Sequence, residues 1–253
     1  MVVLFPWLKF NFTNDPTHYY VEEIPQPKAN VKPIFLNSEE YRINNTFSTI
    51  PEFSVFIEKD ITQINFRKLI EKTGRPPVLI IDPPWRIASP KSTGGLKIHY
   101  PTITDGMLKK LSVNLIQERG YVFLWYTNNK MKLAELLLVI WGYKHVRTLD
   151  WLKLTKNGII FKCMGKPENR SNERCLVGIK GDVDFETDFN FAIEKVIQEQ
   201  MREKSQKPDF LYRIVDQAFP DNIKMELFAR KCNLRNFYIS IELNFSKKYS
   251  NKF

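Results

Sequence analysis

The sequence predicts an α/β fold: one sheet covered by helices on both faces. Three observations predict it. Residues 78–81 (Val-Leu-Ile-Ile) form a continuous apolar run, the kind buried on both faces of a parallel sheet. Helix-like and strand-like patterns then alternate as far as residue 243. Finally, 253 residues with 43 % hydrophobic and 13 % aromatic side chains are enough for one sizeable domain with extensions, or two small ones.

The elements are expected in this order. Residues 1–52 contain no glycine but carry Pro6, Pro16, Pro25, Pro27, Pro33 and Pro51, and no hydrophobic period is sustained there. They read as an extended Pro-rich arm. Residues 53–246 read as the main domain and 247–253 as a basic tail. Within the domain, 53–75 carries a helix-like pattern around Ile64, Phe66, Leu69 and Ile70. Thr104-Asp105 can cap a helix running through Leu108, Leu111 and Leu115. Residues 121–125 are a strand. Residues 131–140 form an amphipathic helix stopped by Gly142. Residues 146–154 and 174–179 are strands, with a turn signal at Asn157-Gly158 between them. Helices are expected over about 190–204 and 209–218, and final strands over 225–228 and 237–243.

Composition narrows the function. No run approaches the roughly 20 apolar residues of a membrane span. The first twelve residues are broken by Pro6 and lack a basic segment and a small-residue cleavage site, so they do not read as a signal peptide. Cys163, Cys175 and Cys232 are odd in number and widely spaced, which fits a reducing compartment and no metal site. The net charge is +10, and residues 143–180 hold nine Lys/Arg against Asp150, Glu168 and Glu173. A concentrated basic surface suits a polyanion; a solvated basic face without a partner is the plainer alternative. All ten glycines lie between Gly74 and Gly181, with no G-x-G-x-x-G and no phosphate-loop pattern. Hydride transfer on a dinucleotide and nucleotide hydrolysis both lose support.

The apolar run ends in Asp82-Pro83-Pro84-Trp85. Two prolines cannot donate to a sheet and hold the chain extended. In open α/β sheets, ligands bind beyond the carboxyl ends of the strands, where this tetrapeptide stands. The Asp82 carboxylate and the Pro83 carbonyl are acceptors, and Trp85 offers an aromatic face. Two acceptors beside an aromatic ring suit a planar group with an exocyclic amine: adenine, cytosine or an amide. Drawing both amino protons into hydrogen bonds pulls the nitrogen lone pair out of ring conjugation and makes it a nucleophile. A charge-assisted bond contributes roughly 1.5–3 kcal/mol and base–aromatic stacking about 1–3 kcal/mol. Together they can offset the few kcal/mol lost when a base leaves its stack. The alternative is a structural turn around a buried tryptophan.

The tetrapeptide resembles the signature of the DPPW-type adenine-N6 methyltransferases. Further segments resemble that family in order and spacing: His99-Tyr100-Pro101-Thr102, Phe123-Leu124-Trp125, Trp141-Gly142-Tyr143, residues 173–181, Ser205-Gln206-Lys207-Pro208-Asp209, and Glu226-Leu227-Phe228-Ala229-Arg230 with Asn233. The resemblance covers about residues 55–245. It implies a Rossmann-like methyltransferase fold in permuted motif order, S-adenosylmethionine as cofactor, and no metal. By the same resemblance, Asp82, Pro83, Pro84 and Trp85 hold the target amine and shape its pocket, and Tyr100 lines the base gate. Lys207 pairs with the methionine carboxylate. Arg230 and Asn233, with Glu226 and Phe228, serve the ribose or carboxylate end. Asp60 and Ile61 flank the cofactor adenine, and Asp82 also borders the cofactor.

Lys162, Lys166 and Arg170, in the basic segment, are the expected contacts to nucleic acid. Several positions depart from the RNA-modifying members: Gln206 precedes the lysine, Ala229 and Cys232 replace the usual Gly and His, and Glu242-Leu243 stand where a Gly-Asn-Gln stretch is usual. Residues 169–172 also differ. These departures favour DNA over RNA and a likeness to the ciliate DNA enzymes. The resemblance further implies a heterodimer with a catalytically degenerate paralogue, possible additional DNA-binding subunits, and a nuclear location. The alternatives are the same reaction on RNA and a non-catalytic, nucleic-acid-binding subunit.

Overall fold

The computed structural model describes residues 54–86, 102–161, 172–189, 195–202 and 206–243, together with four short strands before them. The chain divides into two compact units, residues 78–220 and residues 1–77 with 221–253.

The first unit is built on five strands: β6 (Val78–Ile81), β7 (Gly120–Tyr126), β8 (Lys144–Leu154), β9 (Asn172–Lys180) and β10 (Val196–Gln200), in the order β10-β8-β9-β7-β6. β6 and β7 are parallel, as are β8 and β10, while β9 runs antiparallel to β7 and β8. Every residue of β6 and β7 is buried, which is why both read as unbroken apolar runs rather than alternating ones. Successive side chains of β7 point to opposite faces. On one face Tyr121 and Phe123 pack edge-on against Phe189, with Phe185 and Phe219 completing the cluster. On the other face lies α3 (Met131–Ile140), which buries Ala134, Leu137 and Leu138. Both faces are therefore covered.

Gly178 makes that second contact possible. A β-carbon there would stand 2.9 Å from Val122 Cγ1, 3.0 Å from Tyr143 Cβ and 3.3 Å from Leu138 Cδ2. Gly178→Ala is expected to destabilise the protein by about 1–3 kcal/mol through overpacking, read as a lowered denaturation midpoint at constant m-value.

In the second unit, β11 (Lys224–Leu227), β12 (Tyr238–Leu243) and β5 (Val55–Lys59) form a parallel set with β12 in the middle. α1 (Phe66–Thr73) is fixed at both ends by its sequence. The Asn65 side chain accepts from Lys68 N–H, and Gly74 adopts φ +76° as its N–H donates to the Ile70 carbonyl. Residues 1–52, expected as an extended arm, include β1 (Val2–Leu4) paired antiparallel with β4 (Ile34–Leu36), and β2 (Leu8–Phe12) with β3 (Tyr19–Glu23). The tail 247–253 lies outside the described residues.

Most expected elements stand where the patterns put them, α3 to the residue, with Gly142 at φ +80° behind it. Three differ. The 53–75 pattern resolves into β5, a single helical turn over 61–63 capped by Asp60, and α1, whose own cap at Asn65 starts a separate helix. The Thr104-capped helix α2 (Asp105–Lys110) stops before Leu111, and 113–115 forms a separate turn. The helix expected over 190–204 is overturned: α4 (Phe185–Asp188) is followed by strand β10. Glu, Gln, Lys and Met give this stretch good helix propensity, but tertiary pairing wins. β10 aligns with 150–154 of β8, buries Ile197, and receives the Trp151 indole N–H at the Glu199 carbonyl, 3.0 Å away.

Candidate active site

β6 delivers Asp82 to its carboxyl end, and the two prolines then stop the strand. The turn is tighter than the sequence suggests: Trp85 N–H folds back onto the Pro83 carbonyl at 2.8 Å. That carbonyl keeps a second lone pair for another donor. The Pro84 carbonyl accepts from Ile103 N–H at 3.0 Å, tying the tetrapeptide to the residues ahead of α2. Trp85 is 5 % exposed, and its indole N–H donates to the Trp125 carbonyl at 3.1 Å. The ring is thus a fixed wall of the strand mouth.

Asp82 is not alone there. Lys207 Nζ lies 2.9 Å from Asp82 Oδ1 and 2.9 Å from Glu173 Oε2. Lys153 Nζ approaches the other oxygen of Glu173 at 2.5 Å. The result is an alternating row: Asp82, Lys207, Glu173, Lys153. Beneath it the Trp125 ring stands 5.6 Å from the Lys207 ammonium and the Trp151 ring 5.0 Å from that of Lys153. Side-chain exposures of 16 % for Asp82, 11 % for Lys207 and 21 % for Glu173 mean the charges are poorly screened by water, so each depends strongly on its partners. Burial would lift the Glu173 carboxyl, but the ammoniums of Lys207 and Lys153 outweigh it and hold it down at about 2. Burial would likewise lower the Lys207 ammonium, yet Asp82 and Glu173 raise it, so it stays charged. Burial pushes the neighbouring Cys175 thiol well up, which removes it as a nucleophile at neutral pH.

A depressed carboxyl implies an acid-sensitive fold. Glu173 stabilises the folded chain fully above its ordinary value of 4.5, and that contribution disappears as pH falls towards about 2. The loss is on the order of 3 kcal/mol. Denaturant titrations between pH 5 and 2 are expected to show this slope in the wild type and a shallower one in Glu173→Gln.

Sequence reasoning assigned Glu173, Lys153 and Trp125 no role. Their partners are distant in sequence, and only the cross-strand register, which sets Glu173 opposite Trp151, brings them together. Lys207 was expected at a cofactor carboxylate and stands here between two protein carboxylates; an ammonium has three donors, so a further acceptor can join. Tyr100, Lys162, Lys166 and Arg170 lie outside the described residues. Of the other basic residues in 143–180, Lys153 is committed to Glu173, Arg174 to Asp150 and Arg147 to Glu186, while Lys180 donates to the Asn114 carbonyl. Three of the nine cations are therefore matched by carboxylates of this chain.

The remaining candidates belong to the second unit. Asp60 and Phe228 follow directly on β5 and β11 at the carboxyl edge of the parallel set. Asp60 is buried, and its Oδ1 accepts from Thr62 N–H and Oγ1 at 3.0 and 2.7 Å. Ile61, Glu226 and Asn233 are also buried, and Arg230 is half-buried. Phe228 holds φ +64°, a left-handed conformation that costs a non-glycine residue about 1–3 kcal/mol and clusters at functional sites. Within this unit the residues suit an amino-acid nucleoside: the Asp60 and Glu226 carboxylates and the Asn233 amide for a sugar diol, the Arg230 guanidinium for a carboxylate, and Ile61 and Phe228 for a ring. They fit S-adenosylmethionine.

Comparison with known proteins agrees. The MT-A70 family matches residues 76–243, more than half of the chain. The chain is 33 % identical over 171 residues to N(6)-adenosine-methyltransferase subunit METTL3 of Danio rerio, covering 66 % of this chain and 28 % of that protein. It is 30 % identical over 230 residues to the MT-A70-like N(6)-adenosine-methyltransferase of Drosophila melanogaster, covering 88 % and 35 %. It is 27 % identical over 150 residues to the non-catalytic subunit METTL14 of Danio rerio, covering 53 % and 32 %. The chain thus spans about a third or less of the length of these relatives. MT-A70 proteins are S-adenosylmethionine-dependent methyltransferases with a Rossmann-like fold. The strand that ends in Asp82-Pro83-Pro84-Trp85 lies within the matched region, and this chain belongs to the MT-A70 family.

Proposed function

We propose that this chain methylates the N6 amine of adenine in nucleic acid. The observation that carries the reading is Asp82 at the mouth of β6, paired with and oriented by Lys207. Asp82 and the Pro83 carbonyl accept hydrogen bonds from the two amino N–H groups, Trp85 and Pro84 bound the pocket, and one of the two protons is lost to solvent once the nitrogen carries the methyl group. As the nitrogen acquires positive charge, the adjacent carboxylate stabilises it without having to reorient. S-adenosylmethionine, when bound, supplies an electrophilic methyl group on a sulfonium. Lys207, Arg230, Asn233, Glu226, Phe228, Asp60 and Ile61 are its proposed contacts, and Tyr100, Lys162, Lys166 and Arg170 those of the nucleic acid.

DNA is the substrate that the departures at Gln206, Ala229, Cys232 and Glu242 favour, with the reaction in the nucleus. A second reading, RNA, is supported by relatives named for adenosine, the ribonucleoside. Labelled S-adenosylmethionine incubated with matched DNA and RNA oligonucleotides tests both. Label in DNA adenine supports the first and label only in RNA the second. Absence of transfer to either, with partner present, would leave a binding subunit.

A partner is part of the proposal. On α3, Leu136, Val139 and Ile140 recur at helical spacing on the side opposite the buried Ala134, Leu137 and Leu138. Val139 is 71 % exposed. An apolar stripe of this kind suits a paralogous subunit, and the chain's similarity to METTL14 shows that non-catalytic subunits of related sequence exist. Leu136→Glu with Val139→Glu is expected to abolish co-purification of the partner while shifting the melting temperature of the chain by less than about 4 °C.

A further inference from the structure

Lys207 is fixed through its backbone as well as its ammonium. Glu199, on edge strand β10, accepts from Asp209 N–H at 2.8 Å through one oxygen and from Phe210 N–H at 3.0 Å through the other. These are the first two amides of α5 (Asp209–Ala218), whose own cap position is Pro208 and supplies no side-chain acceptor. Arg202, just beyond β10, donates to the Lys207 carbonyl at 3.3 Å and to Asp209 Oδ1 at 2.8 Å. Residues 207–210 are thus held at four points by two side chains. β10 is itself fixed by register, Glu199 lying opposite Lys153, the outer member of the charged row. Arg213 bridges to Glu199 at 3.1 Å but is largely exposed and adds little.

We propose that Glu199 and Arg202 are positioning residues for Lys207: they set the backbone from which its ammonium reaches Asp82 and Glu173, and so set affinity for the methyl donor. The donor half of this rests on the methyl-transfer reading; the placement of Lys207 does not. A buried ammonium pays for misplacement twice, once at each carboxylate, and small displacements at such sites have large effects. It also gives β10 a purpose, since Glu199 in a strand opposite Lys153 is aimed at α5, as a solvent-facing helix would not place it.

The test uses Glu199→Gln, Arg202→Ala and the conservative Arg202→Lys in the full chain with its co-purified partner. Glu199→Gln keeps the shape but turns one acceptor into a donor facing an amide. Two readouts are taken: S-adenosylmethionine binding by calorimetry with KM and kcat, and carbon-13 titration of the Glu173 carboxyl without cofactor. Glu199→Gln and Arg202→Ala are expected to raise Kd and KM for the donor about tenfold, with a smaller fall in kcat at saturation because Lys207 also orients Asp82. The Glu173 carboxyl is expected to titrate upward from about 2 in both, and Arg202→Lys to recover part of each effect. A folded variant with unchanged Kd and unchanged Glu173 titration overturns the proposal, and so does a fall in kcat alone. If the wild type binds no S-adenosylmethionine, the methyl-transfer reading fails, and the carboxyl titration alone decides the positioning of Lys207. Should Arg202→Ala not fold, the isosteric Glu199→Gln carries the same comparison.

Discussion

Asp82→Ala is expected to abolish adenine methylation, with kcat lowered by about 10²–10³-fold or more, in a chain that remains folded. An amine conjugated with a purine ring is a poor nucleophile. Its lone pair becomes available only when both protons are drawn into fixed acceptors. The carboxylate is the stronger of the two, and it also faces the nitrogen as positive charge develops. Asp82→Asn tests the charge apart from the shape, because the amide keeps an oxygen of similar reach but cannot stabilise the cation. Its expected loss is of the same order. Both variants leave Lys207 paired with Glu173, 2.9 Å away, so the ammonium is not orphaned. Stability should fall far less than activity. Single-turnover assays at saturating oligonucleotide, beside denaturant melts, separate the two. An Asp82→Asn protein that methylates at the wild-type rate would falsify the assigned chemistry.

The parts of this site that were legible in the sequence are those whose physics is local. β6 announces itself because both its faces are buried. The prolines after it must end a strand, and α3 and α5 carry apolar stripes of helical period with a stop at Gly142 and a Pro208 start. What could not be read is set by register. Nothing near Glu173 in the chain says that it will sit between two lysines; Lys153 and Lys207 arrive through β8 and through the start of α5. The one local hint was an acid just ahead of the buried run Cys175-Leu176-Val177 of β9. The pairings inside the basic segment 143–180 are likewise set by register: Asp150 meets Arg174 across the sheet, and Glu186 of α4 meets Arg147. β10 was missed since helix propensity is a property of the segment, whereas its pairing with β8 is a property of the fold.

Lys207→Met is expected to cost both stability and cofactor binding. Methionine fills a similar volume without charge, so the loss is electrostatic rather than a cavity. It leaves Asp82 and Glu173 facing each other across the vacated ammonium, with Lys153 still beside Glu173. Breaking a buried pair by removing one member typically destabilises by about 3–5 kcal/mol. The sign of the accompanying pH effect is fixed. With the Lys207 ammonium gone, the Glu173 carboxyl rises from about 2, so stability is lost at a higher pH as the solution is acidified. The double variant Lys207→Met with Glu173→Gln removes one charge of each sign and should recover much of the stability. It should recover none of the affinity for S-adenosylmethionine, because the donor for a carboxylate is still missing. A double-mutant cycle read by denaturation and by calorimetry therefore separates the two duties of this lysine. If the double variant regains binding together with stability, Lys207 is a structural counter-ion and the methionine end of the cofactor is held elsewhere, with Arg230 the first residue to test.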